Sequence, residues 1–292
     1  MTTKALDLAL RQNSGPLAGF RNHIINGGLD IWQRGVSFGG YGYTADRTVC
    51  GVGSHDRSTD VPTNQGFVYS LQTYRAGNQA AVYPSVELPV TGNAGPFQIG
   101  TTWTFSFWYK AATGLNQVNA NFRQGPVIGT ATKIDGWNNP PASNGSWVRV
   151  ERTFTVNVTP GGSDQCVTLF IQGTTNEAFK VTGLQLEAGP VATPFEHRPV
   201  GVELALCQRY YETGRISLTC YADTTGTSLI TDGQQSVTKR AVPTVSFETY
   251  KVSQSTNHNV TATASSVNLN CNSTTTSGIA RVGAYYTLDA EL

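Results

Sequence analysis

From Phe20 to Arg198 apolar side chains return again and again at every second position, the period of a strand with one buried face. Thr102 to Lys110 shows it most clearly. Trp103, Phe105, Phe107 and Tyr109 share one face, and Thr102, Thr104, Ser106, Trp108 and Lys110 the other. The odd-numbered set faces the core, which sets Trp108 apart on the opposite side. Val148, Val150, Phe154, Val156 and Val158 form a second inward row, interrupted by Arg152, and Val167, Leu169 and Ile171 form a third. Phe179 to Leu186 gives another strand, in which Gly183 marks a bulge. Polar stretches such as Asp135 to Ser146 read as long loops. Strands at this spacing predict a two-sheet sandwich of jelly-roll type over 20–198.

The ends differ. Lys4 to Gln12 predicts a short helix of about two turns, which needs a partner surface to be stable, and Asn13-Ser14-Gly15-Pro16 ends it. After Pro199 the period changes to that of a helix over Val200 to Glu212, with Val202, Leu206 and Tyr210 on one stripe and Gly214 at the expected C-terminal cap. We read 199–212 as a linking helix and the stripe as core or subunit interface. Residues 213–292 return to short strands, clearest at Val242 to Tyr250 and Gly278 to Leu288, separated by Asp223 to Ser228 and Asn270 to Ser277. They predict a small C-terminal β-sandwich with a modest core that oligomerisation would support.

Composition agrees with an all-β chain. The 292 residues include 31 Gly and 13 Pro, and only 13% are charged, which suits many turns better than long helices. Basic and acidic residues number 14 and 12 over 1–200, and 6 and 7 over 201–292. Neither part has the basic footprint of backbone-driven nucleic-acid binding, so no nucleic-acid partner is expected. No apolar run approaches the ~18 residues of a membrane span, and the N-terminus lacks a secretory core, so the expectation is a soluble protein made in a cytoplasm without membrane insertion. Cys50, Cys166, Cys207, Cys220 and Cys271 show no Cys-x-x-Cys spacing and read as buried free thiols.

Candidate chemistry is sparse. Gly35-Val36-Ser37-Phe38-Gly39 matches the Gly-x-Ser-x-Gly string of serine hydrolases, but nothing helical follows it, so a glycine-rich loop is the better reading. Asp30, Asp46 and Asp56, with His23 and His55, form an imaginable acid/base set for glycan cleavage, which needs two carboxylates about 5–9.5 Å apart. The structural alternative has Asp30 and Asp46 holding backbone turns, with Arg34 and Arg47 as bidentate partners. No catalytic residue and no transition-metal site are expected. Sugar binding needs flat aromatic faces beside amides and carboxylates. Tyr41, Tyr43, Trp108 and Trp137, with Asn138 and Asn139, are the candidates, and Tyr221, Tyr250 and His258 are weaker ones.

Three segments carry a resemblance. They are Asn22 to Gly35 with Tyr43 to Arg47, then Val181 to Gly189 running into Thr193-Pro194-Phe195-Glu196, then Glu203 to Glu212. In order and spacing they resemble a family of bacteriophage virion proteins, tail-fibre and structural components with a jelly-roll module of carbohydrate-binding type. Asn26-Gly27-Gly28-Leu29-Asp30 reads as the turn and first strand of that module. Asp30, Trp32, Arg34, Asp46 and Arg47 are its structural signature.

The resemblance implies a non-enzymatic virion component, assembled in the host bacterial cytoplasm. It would be a fibre or similar appendage on tail or head, homotrimeric, binding host surface glycan, with 1–19 attaching it to other virion proteins and 213–292 as the tip. A polysaccharide depolymerase on the same scaffold and a purely architectural decoration or adaptor protein are the alternatives. Jelly-roll modules of this kind often hold a structural calcium. Asp30 suits one, but Thr182 and Gly183 stand where an acidic pair is expected, so no cofactor is assigned.

Overall fold

The computed structural model describes residues 19–89, 92–125, 131–222, 224–274 and 277–291. The 4–12 helix and all but the last residue of the 1–19 attachment segment lie outside the described residues. The rest is almost entirely antiparallel β-structure, with one helix among the described residues, α1 (Val200–Gln208). The chain divides into two compact units within that helix, the first ending at Glu203 and the second running from Leu204 to Glu291.

The first unit is a jelly-roll sandwich of two six-stranded sheets. Sheet I orders β1 (Ser37–Gly39), β4 (Ser54–Ser58), β5 (Ser70–Tyr74), β12 (Phe179–Ala188), β7 (Thr102–Ala111) and β10 (Val148–Thr155). Sheet II orders β2 (Gly42–Tyr43), β3 (Thr48–Cys50), β6 (Gln79–Glu87), β11 (Cys166–Thr175), β8 (Leu115–Arg123) and β9 (Thr132–Asn138). Between them lies one continuous core. Trp103, Phe105, Phe107 and Tyr109 are each at most 1% exposed, as the alternation requires, and they meet Phe122, Leu169 and Ile171 from the facing sheet. Each such side chain contributes about 2–3 kcal/mol by burial.

The interruption at Arg152 has a structural cause. β10 and β9 are edge strands of opposite sheets, and the Arg152 guanidinium bridges them with two hydrogen bonds to Asp135, at 2.7 and 3.2 Å. It also lies 6.0 Å from the Trp137 ring centroid, so the pair closes the open side of the core. Gly183 is the expected bulge. Its φ is 64°, the β12 register slips between Thr182 and Gln185, and a first side-chain carbon there would lie 2.5 Å from the Phe67 ring.

Several boundaries differ from the sequence reading. Asn26 to Gly35 is no strand. Asn26 and Leu29 both have φ of 58°, which turns the chain instead of extending it. The strand β9 takes in Asp135 to Asn138, so the polar loop begins only at Asn139. The helix stops at Gln208 because Tyr211 is already paired with Asp289. Gly214, expected as its cap, lies within a strand.

The second unit packs two three-stranded sheets around a smaller core. Sheet III orders β13 (Tyr211–Ala222), β18 (Gly278–Asp289) and β15 (Thr244–Ser253), and sheet IV orders β14 (Ser228–Gln234), β17 (Ser266–Ser273) and β16 (Ser255–Ala262). β17 absorbs Asn270 to Ser273, which the sequence suggested as a break. Gly214 makes room for the Tyr286 ring opposite, since a first side-chain carbon would sit 2.3 Å from its hydroxyl. The ion pair of Lys239 with Glu212 is buried at 2.5 Å, and Ser236 donates from Oγ to the same carboxylate at 3.1 Å.

Candidate functional site

The signature segments meet in one place. The Asn22 amide donates to the Leu184 carbonyl at 3.0 Å, and its oxygen accepts the Ile24 and Leu186 N–H groups at 2.9 and 3.1 Å. Asn26 fixes the next turn in the same way, accepting from the Ile31 N–H and donating to the Ile31 and Asp46 carbonyls. Gly27 lies so close to β12 that a first side-chain carbon would sit 2.1 Å from the Leu184 carbonyl oxygen. From the other end, Glu196 accepts the Asn22 N–H at 2.9 Å and Glu203 accepts that of Asn26. The Arg198 guanidinium donates to the Asn22 carbonyl, to Ile24 O at 3.1 Å and to both Glu203 oxygens at 3.1 Å. The result is a clasp joining residues 22–26 to 184–203.

The remaining signature residues serve the same structure. Asp46 is 1% exposed and accepts the Gln33 N–H at 3.1 Å, with the Arg34 guanidinium 3.6 Å away. Arg34 in turn lies 4.8 Å from the Tyr43 ring centroid. Trp32 donates its indole N–H to Leu29 O at 2.6 Å and stacks on Phe38. Arg47 is buried, near enough to Cys166 for its charge to act on that thiol, which burial nonetheless pushes up to about 11. Burial raises the Asp30 carboxyl, and His197 partly offsets this. Ser37 of the Gly-x-Ser-x-Gly string lies in β1 and donates to Asp56 at 2.5 Å.

Among the described residues no three His, Cys, Asp or Glu side chains gather in a metal-binding group. The Asn22 and Ile24 carbonyls of the turn accept from the Arg198 guanidinium. All five cysteines are unbridged.

The aromatic candidates lie on separate surfaces. Tyr41 and Tyr43 stand at the β2 edge of sheet II, the former exposed and the latter half-buried. Trp137, Asn138 and Asn139 are at the opposite edge. Trp137 turns inward against the core, whereas Asn138 and Asn139 are exposed. Trp108 is on the outward face of sheet I, half-buried beside Gly183. In the helix stripe Leu206 and Tyr210 are buried within the chain itself and Val202 is exposed.

The middle of that outward face of sheet I is covered. Asp60, from the loop after β4, accepts from Lys110 at 2.9 Å, Lys180 at 2.6 Å and the Trp147 indole at 2.9 Å. Burial alone would raise its carboxyl, but those hydrogen bonds outweigh burial and hold it well below the usual carboxylate range. The 189–198 strap lies over the part around Glu187, while Glu151, Thr153 and Thr155 on β10 stay exposed. Glu187, 4% exposed, accepts from Gln185 and from the Thr193 N–H and hydroxyl, and Arg149 donates to Thr193 O.

The outward face of sheet II offers a different surface. Tyr83 and Phe170, both half-buried, come together with ring centroids 5.0 Å apart and planes tilted by 40°. Phe170 pairs in register with Asn119, and the next outward row runs Ala81, Gln172, Gln117 and Asn138. An amide ladder crosses these rows. Asn116 and Gln117 donate to Gln172 Oε1 at 2.9 and 2.7 Å, and Asn119 donates to Gln117 Oε1 at 3.2 Å. Burial raises the Tyr41 and Tyr83 phenols, and the Arg123 charge opposes both shifts. Aromatic faces with convergent amide donors and acceptors suit a saccharide.

Of the sequence candidates, Tyr41 and Asn138 border this surface. Tyr83, Phe170, Gln117, Asn119 and Gln172 were missed. The available signal was parity: Phe170 stands on the outward side of the Val167, Leu169 and Ile171 row, and Gln117, Asn119 and Asn121 alternate along one strand.

No protein-family model and no curated protein sequence matches this chain. Among solved structures, it is similar to the enzymatically active domain of tailspike protein 4 from bacteriophage CBA120, with 16% identity and a TM-score of 0.39. That likeness covers 61% of this chain and spans only 23% of the tailspike chain. It is also similar to the C-terminal family 22 carbohydrate-binding module of Clostridium thermocellum Xyn10B, with 16% identity and a TM-score of 0.35, over 53% of this chain and 97% of the module. A Fischerella cyclase gives 10% identity and a TM-score of 0.41, over 59% and 98% of the two chains.

Proposed function

We propose that this chain is a non-enzymatic structural component of a bacteriophage virion, a fibre or similar appendage on tail or head, that binds host surface glycan through the outward face of sheet II. The observation that carries the binding role is the Tyr83 and Phe170 pair beside the Gln172, Gln117 and Asn119 ladder. The rings supply an apolar platform for pyranose C–H groups, and the amides supply donors and acceptors for hydroxyls. The virion role rests on the sequence signature, as do the homotrimer, attachment to other virion proteins through 1–19 and assembly in the host cytoplasm.

An array of bacterial surface polysaccharides tests the binding role. Full-length protein is expected to bind at least one of them, and Phe170→Ala to weaken that binding by about tenfold. Absence of binding across the array, or a Phe170→Ala variant that binds as the wild type does, overturns it. New reducing ends in the bound polysaccharide would make the protein a depolymerase instead. Light scattering that gives a stable monomer counts against the trimer.

A further inference from the structure

The second unit carries an aromatic surface of its own on sheet III. Strand register sets Arg215, Tyr285 and Glu248 in one row across β13, β18 and β15, and all three are exposed. Two positions along β18, Gly283 separates the inward-facing Val282 and Ala284, so its missing side chain is on the outward side. The Tyr250 ring fills that space: a first side-chain carbon on Gly283 would lie 2.5 Å from it. Gly283 therefore lets Tyr250 lie down along the sheet, its centroid 4.6 Å from that of Tyr285 and the planes 38° apart. The two rings remain 41% and 53% exposed.

An open groove of about 710 Å³ runs over this face, with Thr213, Arg215, Ser246, Glu248, Tyr285 and Thr287 among its lining residues. Arg281, also exposed, occupies the outward position beyond Gly283. The described charged side chains around the tyrosines are thus two guanidinium groups and one carboxylate. A pair of exposed rings bracketed by charge and by Ser and Thr hydroxyls differs from the core of a stable subunit interface, which is depleted of charged residues. It suits a ligand with an apolar ring face, many hydroxyls and anionic groups.

We propose that this face is a second saccharide site, separate from sheet II, and that it takes polysaccharides bearing carboxylate groups. Tyr250 and Tyr285 stack on the sugar C–H face. Arg215 and Arg281 pair with carboxylates, and Glu248 accepts from hydroxyls.

Affinity electrophoresis of the full chain in gels containing polygalacturonate, alginate or hyaluronate tests this. At least one of the three is expected to retard the wild type, less so as salt rises. Retardation should be about fivefold weaker in Tyr285→Ala and in Tyr250→Ala, and about threefold weaker in Arg281→Gln. Tyr285→Phe, which keeps the ring, should restore most of the retardation that Tyr285→Ala loses. No retardation by any of the three polymers overturns the proposal. So does retardation that survives both tyrosine-to-alanine substitutions, or that Phe170→Ala abolishes. If Tyr285→Ala instead dissociates an oligomer in light scattering, the face is an interface between copies and the proposal falls.

Discussion

The two outward faces of the same sandwich have opposite fates. On sheet I, Lys110, Lys180, Gln185 and Glu187 are consumed by the loop and strap that lie over them, whereas on sheet II the Tyr83 and Phe170 rings and their amide neighbours stay half-exposed. Both faces are rich in polar groups, so polarity does not separate them. The difference is whether another segment of the chain lies over them, since the sheet II amides bond only to one another within the sheet. Where one does, side chains build the fold, and where none does, their free faces are open to a ligand.

Substitutions on the covered face should therefore cost stability, and those on the open face should cost binding. Gly27→Ala is expected to have the largest effect, destabilising the sandwich by more than about 3 kcal/mol, because the new carbon meets a backbone oxygen that cannot move away. Urea denaturation measures it, and a loss below about 1 kcal/mol would mean that the clasp is pliable. Next comes Asp60→Ala, which removes one acceptor from two lysines and an indole. The site is partly exposed, so about 1–2 kcal/mol is expected, with glycan binding unchanged. Because the Asp60 carboxyl is held low in the fold, its contribution is present above about pH 4 and is lost as the pH falls further.

Much of the covered structure was legible. Trp103 to Tyr109 and Val167 to Ile171 alternate strictly because each row has one buried face, and Gly183 stood out as a bulge in an otherwise regular strand. β8 was not legible, since Gln117, Asn119 and Asn121 are poor strand formers that hide the Val118, Ala120 and Phe122 row. The open face was illegible for another reason. Parity tells which side a residue faces but not which strands are neighbours, and Tyr83 meets Phe170 only because β6 pairs with β11. Trp137 was misleading in the same way, because it is inward-facing on an edge strand and its partner, Arg152, comes from the other sheet.

Two smaller effects sharpen the contrast. Phe170→Ala should change the unfolding free energy by less than about 1.5 kcal/mol while weakening saccharide binding, the reverse of the Asp60→Ala pattern. A large stability loss with unchanged binding would reassign that ring to the core. Smallest is a pH effect at His55, whose ring nitrogens contact Thr73 Oγ1 at 2.7 Å and the Gly51 and Gly40 carbonyls at 2.7 and 3.1 Å. Burial lowers its pKa despite those carbonyls, so the unfolded chain takes up the proton first. Stability should be full above about pH 6.5 and fall as the pH drops below it. His55→Gln should flatten that dependence, measured as unfolding midpoints between about pH 5 and 8.

The clasp also sets a timetable. The Asn26 N–H finds its acceptor on Glu203, 177 residues later. At about 5–20 residues per second a ribosome needs roughly ten to thirty-five seconds to deliver that partner. For most of that interval Ile24 and Leu29, both buried in the finished protein, wait without β12, to which the turn beside them is hydrogen-bonded. The first residues of the sandwich are among the last to be secured.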